Sequence, residues 1–209
     1  MEMNKDYTRY LPMIFGTALV LYSAPMLMKS FLLLAGGSTL ARLERGDQAR
    51  PESLGILERS REMAASVIET GSSWNQLSLA LVHQANLYEP GSAEQTEKLE
   101  RAREAQGKGL GLQPANPHSW LRLAYINQRL DAPQKTAAAL YMSYWTGPYE
   151  IHLAEYRLAM SAGMWQQLDN WTMMAVHAEV RLLNSQKPGS LKFLMENDDN
   201  VRNIAQQAL

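Results

Sequence analysis

The stretch from Leu99 to Ala124 reads LERAREAQGKGLGLQPANPHSWLRLA. It contains a helix end, a break and a helix start in succession. The helix entering it begins near Ala93 and carries Glu97, Lys98, Glu100, Arg101, Arg103 and Glu104 on an outer face. Pro114-Ala115-Asn116-Pro117 stops it, since proline lacks an amide donor and clashes with the preceding turn. A second helix then runs from about His118 to Leu130. Gly107-Lys108-Gly109-Leu110-Gly111 has the composition of a phosphate-binding loop. It follows no strand and lacks the Lys-Ser/Thr pair, so it reads as the last turns of the helix.

The same alternation extends outward in both directions. Ser38-Thr39 can cap a helix that ends at Gly46-Asp47, and Arg45-Gly46-Asp47 reads as that helix stop rather than as an adhesion signal. Pro51 opens a helix whose Leu54, Leu57, Arg61, Ala64, Ala65 and Ile68 recur at three- and four-residue steps. Gly71-Ser72-Ser73 breaks it and caps the next helix, Trp74 to about Leu87. Glu89-Pro90-Gly91-Ser92 is a turn. Further helices are expected over 134–146, 149–163, 167–184 and 190–208, and no strand pattern exceeds a few residues. The composition agrees: helix formers outnumber β-branched residues, and 46% hydrophobic content is too high for a disordered chain. The 209 residues suit one sizeable domain.

The N-terminal segment is different. From Tyr10 to Met28, YLPMIFGTALVLYSAPMLM holds no charged residue, and past Lys29 the apolar run resumes as FLLLAGG. That is long enough to cross a hydrocarbon core of about 30 Å as a helix. Signal cleavage fits poorly, because Ser23-Ala24 precedes Pro25 and Leu34 spoils Ala35-Gly36 as a site. A lipoprotein site would need a cysteine. We therefore read an uncleaved anchor with Pro25 as a kink site and Lys29 snorkelling at the membrane edge. The division expected is 1–36 for tail and anchor and 37–209 for the helical domain. Orientation rests on two opposed arguments. Lys29, Arg42, Arg45 and Arg50 against Lys5 and Arg9 favour a cytoplasmic domain. A short N-tail before a single signal-anchor favours an exported, periplasmic one, and the balance leans mildly to export from a bacterial inner membrane.

Two helix pairs share an internal spacing that resembles the tetratricopeptide repeat, a helix–turn–helix of about 34 residues. In the pair opened by Pro117, Trp120 takes the large position of the first helix and Ala124 the small one a turn later. Leu140 and Ser143 follow on the second helix, and Pro148 closes the unit. In the preceding pair Trp74, Leu77, Ser78 and Ala102 take equivalent places. The counts from its two ends differ by about twelve residues, which a longer loop around Leu87–Lys98 absorbs. The small positions are where the two helices of a repeat touch, and a large side chain would force them apart. Thr136 and Gln106 depart from the pattern. The resemblance covers about residues 50–184, with weaker pairs at 52–70 and 151–184. Downstream, ALYMSYWTGPYEIHLAEYRLAMSAGMWQQLD with the terminal VRNIAQQAL is similar to small anchored repeat proteins of proteobacteria linked to exopolysaccharide production. The fold expected is thus all-α: an N-terminal transmembrane helix followed by a TPR-like helical-hairpin array.

Little in the chain suggests chemistry. Zero cysteines exclude disulfides, thiolate metal sites, iron–sulfur clusters and a cysteine nucleophile. A net charge of −1 argues against nucleic acid as a partner. His83, His118, His152 and His177 form no pair at helical spacing for a metal site. His152 with Glu155, and Glu150 nearby, is too small a ligand set. No nucleophile elbow, zincin helix or Walker loop occurs. We expect no catalytic residue, no metal and no cofactor. The expected role is a non-catalytic, membrane-anchored scaffold for other proteins of a membrane assembly, which the second resemblance would tie to exopolysaccharide synthesis or export. Its partner face would be the concave surface made by the first helix of each repeat: Asn75, Leu79 and His83, then Leu121, Tyr125, Gln128 and Arg129. The lipid bilayer is the second partner, through the N-terminal helix. The alternative is an accessory structural subunit of a larger inner-membrane enzyme complex, with the apolar helix as its main contact.

Overall fold

The structure, a computed structural model, describes residues 6–209, with side chains from Tyr10 onward. Lys5 and the Arg9 side chain, used above to weigh orientation, lie outside what is described. The described residues form eleven α-helices, one 3-10 turn and no strand.

Helix α1 (Asp6–Leu34) runs unbroken through Pro12 and Pro25. Its Tyr10–Leu34 portion has a mean hydropathy of 1.6 and is long and apolar enough to span a membrane; none of its apolar window is buried in the fold. Helix α2 (Gly37–Glu44) is short. The remainder is a row of antiparallel pairs. Helix α3 (Pro51–Val67) packs on α1, and α4 (Gly71–Ala85) pairs with α5 (Ala93–Leu112). Next, α6 (Pro117–Arg129) pairs with α7 (Pro133–Thr146), and α8 (Ile151–Gly163) with α9 (Asn170–Gln186). Helices α10 (Pro188–Asn197) and α11 (Asp199–Ala208) close the row against α8 and α9.

The helix starts follow from local chemistry. Pro51, Pro117, Pro133 and Pro188 each occupy the first turn, where their missing amide costs nothing. Thr70, Ser92, Asn116 and Asp169 each accept from a backbone amide three residues on. The Pro114–Pro117 break is thus a stop followed by a capped start. Three expectations are corrected. Gly71-Ser72-Ser73 is not a break before Trp74 but the first turn of α4, capped by Thr70. Gly36, not Ser38 or Thr39, begins α2. It holds a φ of +77°, and a Cβ there would lie 2.8 Å from the Leu57 backbone, so glycine alone fits. The single helix expected over 190–208 is two helices, because Asp198 caps a new one by accepting from Asn200 (2.8 Å) and Val201 (3.3 Å).

The seams carry small residues. Ala102 and Ala124 are fully buried, the first beside Leu77 and Leu81, the second in the main cluster with Ala139, Leu140 and Tyr144. Replacing Ala124 with leucine should overpack the α6–α7 seam and lower stability by about 1–3 kcal/mol. Thermal melting of the variant checks this, and an unchanged midpoint would place the seam elsewhere. The extra length in the α4–α5 pair is divided between the 86–92 loop and an α5 longer than α7. Gln106, at a position expected to be apolar, is fully buried and donates to Asn75 Oδ1 (2.8 Å). Gly109 clears room for that Asn75 amide.

Candidate functional site

The junction between α1 and the array is built from two cations. Lys29 is buried against the array: its Nζ donates to the Ile68 carbonyl (3.1 Å) and to Thr70 Oγ1 (2.7 Å) rather than reaching out along the helix. It therefore joins α1 to the end of α3 and the cap of α4. Arg61 lies within the apolar stripe of α3 and is 2% exposed. Its Nη1 donates to the carbonyls of Leu33 and Ala35, both at 3.1 Å, and its Nε to Gln76 Oε1 (2.6 Å). Those carbonyls belong to the last turn of α1 and the residue beyond it, where no intrahelical donor remains. One arginine thus closes the C-terminal end of α1 and fastens it to α3 and α4.

The inner face is formed by α4, α6 and α8. Its expected residues have separate fates. Asn75 and Leu121 turn inward, at 8% and 9% exposure. The Asn75 side-chain amide also donates to Gln113 Oε1 (3.3 Å), and the Asn75 backbone carbonyl accepts from Arg122 Nη1 (2.8 Å). Leu79 is half-buried in a cluster with Leu40 and Leu43, so α2 folds back over this part of the face. His83 is half-buried, and burial followed by the Arg122 charge lowers its pKa. Gln128 is exposed. Tyr125 and Arg129 are brought together. Arg129 Nη1 donates to the Tyr125 hydroxyl (2.7 Å) and to Asn86 Oδ1 (2.9 Å), at the end of α4, and Tyr125 also donates to Asn86 (3.3 Å). Arg122 was not among the expected residues. It sits at the centre of this face, and burial brings its pKa down to about 10 against the pull of Glu44.

A groove of about 610 Å³ lies on the other side, between α3 and α5 with α4 as its floor. Leu77 and Leu81 line the bottom, and Glu62, Glu69, Trp74, Arg101, Glu104 and Lys108 form the walls. Its polar groups are already matched. Arg101 bridges Glu58 (2.7 Å) and Glu62 (2.5 Å), and Lys98 reaches Glu58 at 3.3 Å. Burial alone would raise the Glu58 carboxyl; the Gln84 amide and the two cations outweigh it and hold its pKa below the usual value. Lys108 pairs with Glu104 (2.7 Å) and lies 4.6 Å from the Trp74 ring centre, while Trp74 Nε1 donates to Glu69 (3.2 Å).

The deepest polar cluster ties α7, α8 and α9 together. Arg157 and Glu179 are both buried and form an ion pair. Arg157 Nη1 donates to the Gly147 carbonyl (2.7 Å) just beyond α7 and to the Ser143 carbonyl (3.2 Å), which also accepts the Gly147 amide. The Tyr144 hydroxyl donates to Glu179 Oε2 (2.8 Å). Burial pushes the Glu179 carboxyl up to about 7, with Arg157 opposing. The cluster is closed to solvent, so it can fix helices but cannot meet a substrate.

Glu155 pairs with Lys187 (3.1 Å) rather than with His152. Among the described residues no group of three or more His, Asp or Glu is placed to hold a metal ion. Comparison with family models, with curated proteins and with solved structures gives no match.

Proposed function

We propose that this chain is a non-catalytic, membrane-anchored scaffold that holds other proteins of a membrane assembly. The junction at Lys29 and Arg61 carries the reading. A helix with no buried apolar window does not serve a core, yet its end is fastened into the array by three part-buried hydrogen bonds. Such a joint suits a helix that crosses a bilayer and holds its domain at a set attitude. In this reading α1 spans a bacterial inner membrane once, and the array lies on the periplasmic side. The hairpins are of the tetratricopeptide type, and the assembly serves polysaccharide synthesis or export. The mutual pairing of the groove's charges, with no base beside a nucleophile, supports binding rather than catalysis.

Tyr125 and Arg129 are the anchors of the partner face, pre-positioned by Asn86. Combining Tyr125→Ala with Arg129→Ala in the full chain should leave helicity intact, because both side chains are only half-buried and α6 keeps Leu121, Ala124 and Ile126 in the core. Recovery of co-purifying proteins from mild detergent should fall, since central aromatic and arginine anchors are each worth about 2 kcal/mol or more. Full recovery with intact helicity would move the contact away from this face.

A further inference from the structure

We infer that one edge of the helical array rests on the lipid headgroup layer, with the α5–α6 and α7–α8 loops as its contacts. The inference rests on the reading of α1 as a membrane span. Its starting point is direction. Lys29 of α1 meets Ile68 and Thr70, whereas Leu33 and Ala35 meet Arg61, so α3 runs antiparallel to α1. The α3–α4 loop therefore lies level with Lys29, one residue past the uncharged Tyr10–Met28 run. That run measures about 28 Å at about 1.5 Å per residue, which matches a hydrocarbon core. Lys29 and the α3–α4 loop then fall in the headgroup layer.

The later loops follow on the same side. The α5–α6 loop joins the α4 start through Asn75 and Gln113 (3.3 Å). The α7 end joins the α6 start through the Ser143 hydroxyl and the Pro117 carbonyl (3.0 Å), and a Cβ on Gly147 would lie 2.7 Å from the Pro117 ring. Each hairpin is antiparallel, so every connection from an outer to an inner helix falls on this edge. The apolar groups it presents are those that favour an interface. Leu112 at the end of α5 is 50% exposed and Tyr149 in the α7–α8 loop is 81% exposed, whereas the Trp145 ring packs along α7 against Tyr141 and Trp171. Tyrosine concentrates at headgroup level because it has an apolar body and a polar tip. The charges along the edge are mixed in sign: Glu69 and Glu150 with Lys108 and Lys187. The surface thus fits an uncharged or zwitterionic headgroup layer.

The chain has no cysteine of its own, so single cysteines report unambiguously. Leu112→Cys, Tyr149→Cys, Lys135→Cys at the opposite edge and Thr17→Cys within α1 are each made in the full chain. Each carries an environment-sensitive fluorophore and is reconstituted in phosphatidylcholine vesicles containing headgroup-region spin-labelled lipid. Positions 112 and 149 should emit to the blue of 135 and lose most of their emission to the spin-labelled lipid, while 135 keeps its emission. Blue-shifted emission at 17 with water-like emission at 112 and 149 overturns the edge contact and leaves the span standing. Water-like emission at 17 overturns the span and the edge contact with it. All four cysteine sites are exposed in the fold, so none of the substitutions threatens folding.

Discussion

Replacing Glu179 with leucine should be the most damaging single change in the array, at about 3–5 kcal/mol. The reason is the Arg157 guanidinium. It is fully buried, cannot shed its proton, and would keep only the Ser143 and Gly147 carbonyls. The Tyr144 hydroxyl would lose its acceptor as well. The reverse change, Arg157→Met, should cost less, because a buried carboxyl left alone can take up a proton and become neutral. Replacing both at once should recover much of the loss, since a packed apolar pair avoids the desolvation of two charges. Denaturant unfolding of the three variants measures this order. Equal costs for the two single changes would mean that the charge of the guanidinium does not govern the site. A pH dependence follows. The folded carboxyl lies above its ordinary value of 4.5, at about 7. The folded state therefore binds a proton that the unfolded state has released. Its contribution is fully present below about pH 4.5 and is lost as pH rises through about 7. Stability should fall across that window, and Glu179→Gln should flatten the fall.

Arg61→Ala should loosen the anchor from the array. The substitution strips the donor from the Leu33 and Ala35 carbonyls and from the Gln76 amide oxygen. Each of these hydrogen bonds is part-buried and its loss costs about 1 kcal/mol. Lys29 would remain, so the helix should stay attached but fray over its last turn. Amide exchange should quicken around residues 33–40 while the α8–α9 core keeps its protection. Spin-label distances between α1 and α4 should change from one narrow distribution to a broad one. A distribution as narrow as the parent's would show that Lys29 and α2 hold the junction without Arg61.

Most helices were legible because their boundaries are chemical. Proline in a first turn and a Ser, Thr, Asn or Asp cap are local signals, and they mark the starts of α3 to α7 and of α9; α8, which has neither, follows the Gly147-Pro148 turn. The split at Asp198 was missed for the same kind of reason: in a run as polar as Glu196 to Asn200, one cap among several polar residues does not stand out. The buried arginines are more instructive. Arg61 falls on the same stripe as Leu57, Ala64 and Ala65, and Arg157 beside Leu153, Ala154 and Leu158. A cation on an apolar stripe is the available signal. What it bonds to is not readable, because the carbonyls it meets come from other helices. In the sequence Lys29 has the look of a snorkelling cation, since nothing local reveals that α3 ends beside it. The inner face was only partly legible. Spacing placed Tyr125 and Arg129 together, but no local pattern shows that α2 folds over Leu79 or that Gln106 and Arg122 take up the polar groups of Asn75.

The central claim is that α1 crosses the bilayer and holds the whole array on one side. Single cysteines at Asp6 and Lys135, labelled with a membrane-impermeant maleimide in sealed vesicles of known sidedness, test it most directly. The account predicts that the two label from opposite faces, with Lys135→Cys reached from the periplasmic one. Labelling of both from the same face, in vesicles that remain sealed, would contradict it.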